Sequence, residues 1–534
     1  MNFYSILLSA KYWLKEWGWG MVAAFSSYAL LLSAQPPYHT PESAYVFLLP
    51  SLIWFSFKPK ISKVLVCYTL AGFVYYICLI GWIRHITFGG MLMASLLLSL
   101  YTIPWFLTAK YFLFLGVSRS FGKRCLYLLF LPCLWVTIEW LRSQFTLGFP
   151  WCPLSITQWE RPMILQSSAW VGAWGVSFFL VFFNLCIGSY VHHLLVRRRD
   201  AQAPSFFNVC PDFYLGIGLF CLMVTPFLLE MYRVDPKEEI SKVRVGVCQP
   251  YLQDKWVQGN ASLHKDKLSG QTKLLSSMSP DFVVWPEAST PYALNLDSNW
   301  VKELVEETNT TLLLGAVVKE DFYSYNTVAK VSPKHGIDPL WYAKRKLVPF
   351  GEYIPFPFNF FSALTRFVGP VGNFTSGDTF CPISLSLPNG KNLKIGPLIC
   401  YEDIFPSLAR DAAISETDLL FVTTNDAWFG EEGCAEQHAA HSVLRAVETG
   451  LPVLRCGNAG WSGWIDHLGR KRDVLRDEHG SIYFEGAGVI ELQIQRRAVT
   501  FYSSTGDFFP IACLVCFIFL ILVISWKRKL PSEV

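Results

Sequence analysis

Three segments of the sequence each place a reactive side chain beside an apolar, strand-like run. Glu287 and Cys400 directly follow such runs, and Lys344 lies between them in the chain. Active sites of layered α/β proteins gather at strand ends, so these side chains could meet there. A thiol nucleophile needs a base that accepts its proton, and a developing oxyanion needs a fixed positive charge. We therefore expect Glu287 to take the proton of Cys400, and Lys344 to lower the thiol pKa and stabilise the tetrahedral intermediate.

Each of these residues also has a simpler, structural interpretation. A single charged or thiol side chain at a strand end is more often solvated or salt-bridged, so only the combination of the three predicts catalysis. His438 and His441 stand at i and i+3 and could share a helix face, yet no third ligand is nearby in sequence. The sequence therefore predicts neither a metal site nor a cofactor.

Between Val243 and Leu492, short β-rich runs alternate with helical patterns. This alternation is typical of a layered α/β domain, and roughly 250 residues are enough for a core of its own. The predicted strands are 243–248, 281–285, 311–319, 325–331, 394–400, 418–424, 452–456 and 487–493, and the predicted helices are 262–277, 298–308, 405–414 and 435–449.

The composition of the 534-residue chain is uneven along its length. Hydrophobic residues make up 52% and charged residues 16%, and most of the charged residues lie between positions 236 and 500. This distribution excludes a wholly soluble, a disordered or a fibrous protein. The net charge of +4 is too small to indicate a nucleic-acid surface.

Eight apolar runs are predicted to cross a membrane, which takes roughly 20 residues of helix. They lie at about 17–34, 43–57, 64–84, 90–116, 125–141, 164–191, 213–229 and 508–526. Loops rich in Lys and Arg alternate with loops poor in them, and the basic loops are expected to face the cytoplasm. The sequence thus predicts a membrane domain at 1–235 with seven spans, an external domain at 236–500, and a last span with a short cytoplasmic tail at 501–534.

The external domain contains an odd number of cysteines, so at least one stays unpaired within the chain. A free thiol in an oxidising compartment is a candidate reagent. Whether any of the others form a disulfide stays open. The cysteines are Cys248, Cys381, Cys400, Cys434 and Cys456.

Three motifs in the external domain resemble those of the nitrilase superfamily. Val283-Val-Trp-Pro-Glu287, Tyr342-Ala-Lys344 and Leu398-Ile-Cys400-Tyr-Glu402 are similar to its Glu, Lys and Cys motifs. These are the same three positions that the strand-end chemistry selects.

Longer strings resemble one branch of that superfamily, the bacterial apolipoprotein N-acyltransferases. The stretches from Lys344 to Pro355 and from Thr424 to Gly430 are similar to that branch in the external domain. Gly148-Phe-Pro-Trp151 and Gly172-Ala-Trp-Gly-Val-Ser177 extend the resemblance into the membrane domain, as does the order of seven helices, a periplasmic domain and one final helix. The resemblance thus covers nearly the whole chain.

The resemblance implies a fold and a set of functional positions. The implied fold is a polytopic helical membrane domain followed by an α-β-β-α nitrilase-like domain. The implied catalytic triad is Glu287, Lys344 and Cys400, and the implied supporting residues are Glu352, Tyr401 and Glu402. Further substrate-binding or lid positions are Trp256, Trp428 and His438. The string Gly433-Cys434-Ala435-Glu436 departs from the family's usual Gly-Pro before the Gln-His pair, which leaves the local loop shape open.

The implied reaction is a two-step acyl transfer through a thioester. Cys400 would attack the ester carbonyl of a glycerophospholipid, and the α-amino group of a lipoprotein's diacylglyceryl-cysteine would then take the acyl chain. Because both substrates are located in the bilayer, the implied location is the bacterial inner membrane, with the catalytic domain in the periplasm. The expected partners are these lipids and lipoproteins and no nucleic acid, and the expected state is a monomer.

The segment from Pro349 to Phe374 is rich in Phe, Pro and Gly and lacks clear periodicity. Aromatic segments favour the membrane interface, so we expect it to form a lid, with Phe358 and Phe361, that dips into that layer. An internal packing loop is the alternative.

Two other functions stay open from the residues alone. A membrane-tethered nitrilase-like amidase would release a free acid to water instead of an N-acylated peptide. A lipid transporter or binding scaffold with an inert external domain would make the three strand-end groups a coincidence, and Cys400→Ser would then change nothing.

Overall fold

A computed structural model describes residues 3–112, 121–144, 148–197, 210–232, 241–252, 259–356, 372–495 and 498–529. The chain divides into two compact units. The first comprises Met1–Gly81, Gly90–Glu230 and Asp507–Val534, and the second comprises Trp82–Gly89 and Met231–Gly506. The domain boundaries at 235 and 500 stay predictions, and the short segment Trp82–Gly89 groups with the second unit although it precedes most of the first.

The first unit is built from apolar helices. They are α1 (Phe3–Ala34), α2 (Leu49–Phe55), α3 (Ile61–Leu79), α4 (Phe88–Phe112), α5 (Phe121–Gln144), α6 (Pro162–Leu165), α7 (Ser168–Arg197), α8 (Pro211–Tyr232) and, near the C-terminus, α14 (Phe508–Lys529). Among the described residues, five helices are long and apolar enough to cross a membrane: α3, α4, and the stretches Arg124–Gln144, Ser168–Leu194 and Pro211–Leu229. The chain is therefore a membrane protein.

The predicted number of eight spans is not confirmed. The run at 43–57 forms a 3-10 turn at Pro41–Tyr45 followed by the seven-residue helix α2, and each is too short to cross a bilayer. Pro41 and Pro50 lie at the first positions of these two elements, where proline starts a helix and cannot extend one from the preceding residue. The described apolar part of α14, Phe508–Val523, is likewise shorter than a full span.

Aromatic packing and satisfied polar groups join the helices of this unit. Tyr68 of α3 stacks on Phe106 of α4 with ring centroids 4.0 Å apart. The indole nitrogen of Trp105 in α4 donates a hydrogen bond to the carbonyl of Leu131 in α5 at 2.9 Å. Helix α7 bends at Gly172, whose φ of 66° is open to glycine because it has no Cβ.

The second unit contains two β-sheets. The first sheet has the strand order β13-β1-β2-β3-β4-β5, with β6 also paired to β4, and the second has the order β12-β11-β10-β9-β8-β7. The strands are β1 (Ser241–Gln249), β2 (Phe282–Trp285), β3 (Leu312–Glu320), β4 (Tyr323–Ser332), β5 (Gly336–Ile337), β6 (Tyr342–Ala343), β7 (Ile383–Ser386), β8 (Asn392–Ile399), β9 (Leu419–Thr424), β10 (Val453–Gly457), β11 (Gly463–Ile465), β12 (Lys471–Arg472) and β13 (Gly486–Ile494).

The alternation of side chains along a strand divides the apolar residues between two cores. In β2, Phe282 and Val284 join a cluster that also contains Ile395 and Phe421 of the second sheet, so this core lies between the sheets. Val283 and Trp285 of the same strand instead pack with the residues of two helices, α9 (Ala261–Ser277) and α10 (Asn299–Thr308). The strand is therefore apolar on both faces, as its unbroken Phe-Val-Val-Trp sequence predicts.

Helices cover both outer faces. Helix α11 (Pro406–Ile414) packs against β8, and α12 (Cys434–Thr449) packs against β10 and α11; a short helix, α13 (Phe501–Thr505), follows. The unit is thus layered helix, sheet, sheet, helix, and the predicted α-β-β-α fold is confirmed. Strands β8, β9 and β10 pair in parallel, as do β1, β2 and β3, so in each sheet the C-terminal ends of these strands lie along one edge.

Candidate active site

Glu287 lies just past the C-terminal end of β2, and its side chain is buried. The neighbouring strand β3 makes room for it with Gly315. A Cβ at Gly315 would lie 2.5 Å from the carbonyl oxygen of Pro286 and 2.6 Å from the Cα of Glu287. This close approach of two backbones fixes where the carboxylate leaves the sheet.

Lys344 directly follows β6, where its backbone N–H donates to the carbonyl of Asn326 in β4 at 2.8 Å. Its side chain is 1% exposed and lies between two carboxylates. The Nζ atom is 3.2 Å from Oε1 of Glu287 and 2.8 Å from Oε1 of Glu352. Burial acts to lower the pKa of Lys344, but the neighbouring charges, Glu287 first, outweigh burial and raise that pKa well above its ordinary value. The lysine is therefore a fixed cation.

Asn326 joins the same group of side chains, although the sequence did not single it out. Its Nδ2 donates to Oε1 of Glu287 at 2.8 Å and is 3.3 Å from Oε1 of Glu352. The other oxygen of Glu352 accepts from the backbone N–H of Val348 at 2.8 Å. Both carboxylates are thus oriented by neutral donors as well as by Lys344. The signal available in the sequence was an amide side chain inside the predicted strand 325–331.

Cys400 directly follows β8 and has a φ of 49°, an uncommon conformation for a residue with a Cβ. Its side chain is half-buried. Burial raises the pKa of the Cys400 thiol well above its ordinary value, and the charge of Glu287 raises it further, whereas Lys344 acts in the opposite direction. The lysine thus has the expected sign, but burial outweighs it. The thiol is protonated in the free protein, so its proton must leave during the attack.

Glu402 ties the end of β8 to the segment that carries Lys344. Its carboxylate is buried and accepts hydrogen bonds from the Tyr342 hydroxyl at 2.8 Å, from the Arg345 N–H at 2.6 Å and from the Ile399 N–H at 2.8 Å. Burial raises the pKa of Glu402, and these bonds and the charge of Lys344 oppose the increase. Because Arg345 follows Lys344 and Ile399 precedes Cys400, this one side chain sets the spacing between the two reactive groups.

Tyr401, the residue after the nucleophile candidate, is buried, and its ring meets that of Phe405 edge-on with centroids 5.2 Å apart. Burial raises the pKa of Tyr401, with the charge of Tyr353 adding to it and that of Lys344 opposing it. The hydroxyl is therefore neutral and can serve as a hydrogen-bond donor. The packing itself indicates a role in supporting the turn at Cys400.

His438, the fifth residue of α12, contacts the backbone of Cys400. Its Nε2 is 3.0 Å from the backbone carbonyl oxygen of Cys400, and its Nδ1 is 2.9 Å from Oδ1 of Asp426, which follows β9. Arg455 of β10 continues the group, with Nη1 2.7 Å from Oδ2 of Asp403. All four of these charged side chains are buried.

The ligand atoms of Cys400, Asp426 and His438 lie within 4.8 Å of one another, which is the one such grouping found among the described residues. From the sequence, His438 and His441 were the two residues considered as possible metal ligands. Both ring nitrogens of His438 already have hydrogen-bond partners, so a metal ion would have to break those bonds. The group is better described as a hydrogen-bonded network that holds the nucleophile's backbone.

Of the remaining predicted positions, one is exposed and the others lie outside the described residues. Trp428 lies in the 3-10 turn Asp426–Phe429 and is 49% exposed. Trp256, Phe358 and Phe361 lie outside the described residues. Of the aromatic segment, Phe356 is described at its edge and is 77% exposed.

Two family models match the chain. That for the apolipoprotein N-acyltransferase N-terminal domain matches residues 27–186, and that for carbon-nitrogen hydrolase matches residues 244–490. An apolipoprotein N-acyltransferase from Rhizobium leguminosarum bv. trifolii is 30% identical over 458 residues, which cover 83% of this chain and 81% of that protein. The chain belongs to the apolipoprotein N-acyltransferase family.

A second relative agrees with this assignment. An apolipoprotein N-acyltransferase from Geobacter metallireducens is 27% identical over 474 residues, covering 86% of this chain and 85% of that protein. Among solved structures, an amidase from Nesterenkonia sp. is 16% identical with a TM-score of 0.35, and the match covers 47% of this chain and 90% of the amidase. The family predicted from the motif strings is confirmed, and the roles of individual site residues stay predictions.

Proposed function

We propose that this apolipoprotein N-acyltransferase family member transfers a fatty acyl chain from a membrane phospholipid, through a thioester on Cys400, to the α-amino group of a diacylglyceryl-cysteine on apolipoproteins. The observation that carries the proposal is the buried group in which Lys344 lies between the carboxylates of Glu287 and Glu352 and is tied by Glu402 to the turn at Cys400. Such a group can move one proton and stabilise one developing negative charge.

In the first half-reaction, the Cys400 sulfur attacks the ester carbonyl while Glu287 takes the thiol proton. Lys344 stabilises the oxyanion of the tetrahedral intermediate. The C–O bond then breaks, and the lysophospholipid leaves as an alcohol after receiving the proton from Glu287. The thioester remains on Cys400, and Glu287 is again a carboxylate.

In the second half-reaction, the neutral α-amino group of the acceptor attacks the thioester carbonyl. Glu287 takes a proton from the attacking nitrogen, the C–S bond breaks, and the thiolate recovers that proton from Glu287. The products are an amide and the free thiol. The cycle uses one base twice, which is the pattern of covalent acyl transfer with an activated nucleophile.

The second carboxylate has a clear place in this scheme. When Glu287 accepts a proton, it loses its charge beside a lysine that is 1% exposed. Glu352, at 2.8 Å from Nζ, still neutralises the lysine at that moment. A buried cation left without a partner is costly, so Glu352 lowers the barrier by keeping Lys344 paired throughout the cycle.

The membrane setting supports lipid substrates. The helices long enough to span a bilayer belong to the same chain as the candidate nucleophile, so the protein works where both acyl donor and lipidated acceptor are dissolved. We propose the bacterial inner membrane as the location, a periplasmic catalytic domain, and a monomer as the working state. We also propose that Phe358 and Phe361 belong to a lid, and that Trp256 and Trp428 contact substrate.

Mass spectrometry of the intact enzyme tests the proposal. The protein is incubated with phospholipid vesicles and no acceptor, and we expect a fatty-acyl adduct on Cys400 that disappears when a diacylglyceryl peptide is added and reappears on the peptide nitrogen. Cys381→Ser, which removes another half-buried thiol, serves as the matched control and should keep the adduct. An unmodified Cys400, or release of free fatty acid instead of peptide acylation, would contradict the proposal and favour the amidase alternative.

A double replacement of Phe358 and Phe361 by Ser tests the lid separately. We expect activity on bilayer substrates to fall more than the melting temperature. Equal losses of rate and stability would instead indicate an internal packing loop.

A further inference from the structure

The segment Trp82–Gly89 groups with the catalytic unit, although in sequence it connects α3 to the start of α4. It contains a 3-10 turn, Gly81–His85. The sequence places this stretch at the end of a predicted span and gives it no role. Its contacts within the catalytic unit are therefore unexplained by the reaction described above.

Trp82 makes the central contact. It is 5% exposed, and its indole N–H donates to Oε1 of Gln437 at 3.0 Å. Its ring meets Phe429 nearly perpendicular, with centroids 4.7 Å apart. A single side chain thus touches both the turn that follows β9 and the first turn of α12.

A second group of contacts surrounds the first. Arg84 and His85 both approach the carboxylate of Glu432, and the His85 Nε2 lies 3.2 Å from its Oε1. Gly430 has a φ of 68°, and a Cβ there would lie 2.8 Å from His85 Nε2. The segment therefore fits closely against the 429–432 loop.

His438, the residue after Gln437 in α12, contacts the candidate nucleophile. His438 faces the carbonyl oxygen of Cys400, the carboxylate of Asp426 and, at 3.5 Å from Nδ1, the hydroxyl of Thr424. A carbonyl only accepts hydrogen bonds. Burial acts to raise the pKa of Asp426, but His438, Arg455 and Thr424 outweigh burial and hold it below its usual value. The Nε2 of His438 therefore donates to the carbonyl of Cys400, and its Nδ1 lies against the Asp426 carboxylate.

We propose that Trp82 and its segment are a positioning element of the acyl-transfer site, which holds His438, through its neighbour Gln437, against the backbone carbonyl of Cys400. The inference rests on the proposed role of Cys400 as nucleophile. A residue at φ 49° keeps that conformation only where its surroundings enforce it, and the imidazole N–H that donates to its carbonyl fixes the peptide plane from which the sulfur projects.

Trp82→Phe is the sharpest variant because it keeps an aromatic ring against Phe429 while it removes the indole N–H, together with part of the ring volume. The full-length enzyme is tested with vesicles of phosphatidylethanolamine and phosphatidylglycerol, and the rate of acyl-adduct formation on Cys400 is followed by mass spectrometry. We expect a fall of about five- to ten-fold, the usual effect of leaving one buried acceptor unsatisfied. The rate of iodoacetamide labelling of Cys400, which involves no lipid, should change with it.

Trp464→Phe is the matched control. Trp464 also donates an indole hydrogen bond to a side chain, Oδ2 of Asp473 at 3.1 Å, in the strands at the far end of the second sheet. The Trp464→Phe change should lower the melting temperature at least as much as Trp82→Phe does. The acylation rate of the folded Trp464→Phe enzyme should stay near that of wild type. If Trp82→Phe slows acylation no more than Trp464→Phe does, the positioning role is wrong.

A double-mutant cycle supplies a second route. Gln437→Leu removes the acceptor, and its effect should not add to that of Trp82→Phe, because both break the same bond. Additive losses would overturn the inference. If Trp82 variants fail to fold, the charge swap Arg84→Glu with Glu432→Arg takes their place. Each single change should slow acylation, and the double change should restore the rate. A double variant that stays slow would count against a positioning role of the segment.

The two proposals fail differently. If wild-type enzyme forms no acyl adduct, the proposed function is wrong. The iodoacetamide rates of wild type and Trp82→Phe then still show whether Trp82 positions Cys400, and equal rates would reject that role on their own.

Discussion

Two buried clusters of ionisable side chains lie next to Cys400 in the catalytic unit, here called the front and the rear cluster, and they differ in exposure. The front cluster contains Lys344 between Glu287 and Glu352, whose side chains are 9% and 13% exposed. The rear cluster of Asp403, Asp426, His438 and Arg455 has side chains 0 to 2% exposed. Partial exposure lets the front cluster meet a substrate and change protonation, whereas full burial makes the rear one a support.

The polar atoms in the rear cluster are also less completely paired. Among the described residues, Asp403 Oδ1, Asp426 Oδ2 and both Nε and Nη2 of Arg455 are buried without a hydrogen-bond partner, and Arg455 Nη2 is 3.8 Å from Asp426 Oδ2. Sites of this kind commonly hold ordered water. The comparison predicts that the front cluster has the larger effect on the rate and the rear cluster has the larger effect on stability.

The largest effect on rate should come from Lys344→Met. Removing the cation beside the developing oxyanion should lower the acylation rate by about 10²- to 10³-fold. Lys330→Met, which breaks an ion pair with Asp338, is the control and should leave the rate unchanged. Single-turnover acylation of Cys400 measures both, and a loss below about ten-fold for Lys344→Met would mean that another group stabilises the intermediate.

The rear cluster should respond to Arg455→Met mainly in stability. Removing one partner from a buried ion pair typically costs about 3–5 kcal/mol, because Asp403 then stays buried without the guanidinium that neutralises it. Thermal unfolding of the purified enzyme measures the loss, with Arg472→Met, at a half-exposed ion pair with Asp466, as a control of small effect. A normal melting temperature with a slow reaction would reverse the assignment of the two clusters.

The pH dependence of thiol labelling separates the charges at the front. Because the charge of Glu287 raises the pKa of Cys400 and that of Lys344 lowers it, Glu287→Gln should shift iodoacetamide labelling of Cys400 to lower pH. Lys344→Met should shift it to higher pH. Identical profiles for the three proteins would show that burial alone controls the thiol.

The smallest expected effect is the loss of folding stability at low pH that comes from the rear cluster. The pKa of Asp426 is lowered in the folded protein, so the stability it provides is present above the ordinary aspartate pKa and is lost as pH falls towards the lowered value. Asp426→Asn should therefore be less stable than wild type near neutral pH, and the difference should narrow in acid. Melting temperatures measured from neutral pH downwards test this, and a constant difference would contradict it.

Much of the catalytic fold could be predicted because its strands are apolar on one or both faces. The eight predicted strands and four predicted helices of this domain all correspond to observed elements within a few residues. Five short strands were not predicted: β5, β6 and β12 have two residues each, β11 has three and β7 has four. Runs this short show no clear periodicity and are defined mainly by the strands they pair with. The 43–57 run was misread because apolar composition alone does not reveal two helix starts at Pro41 and Pro50.

The candidate site was predictable where chemistry and chain position coincide, as at Glu287 and Cys400 after long strands. Asn326, Asp426 and Arg455 were missed because their roles depend on neighbours far away in sequence. Trp82 is the extreme case, since its partner Gln437 lies 355 positions along the chain. A tryptophan at the end of an apolar run indicates a membrane interface as readily as a catalytic domain.

The distribution of thiols gives the enzyme a built-in chemical selectivity. Cys248, Cys434 and Cys456 are fully buried, whereas Cys381 and Cys400 are half-buried. In the folded domain, two of these thiols are therefore accessible to a bulky, water-soluble maleimide and three are not. In a background in which Cys381 and the exposed or half-buried thiols of the first unit, Cys78, Cys125, Cys221 and Cys516, are replaced by Ser, the stoichiometry of such a reagent would count intact active centres. The same burial would protect the inner sulfurs from environmental oxidants.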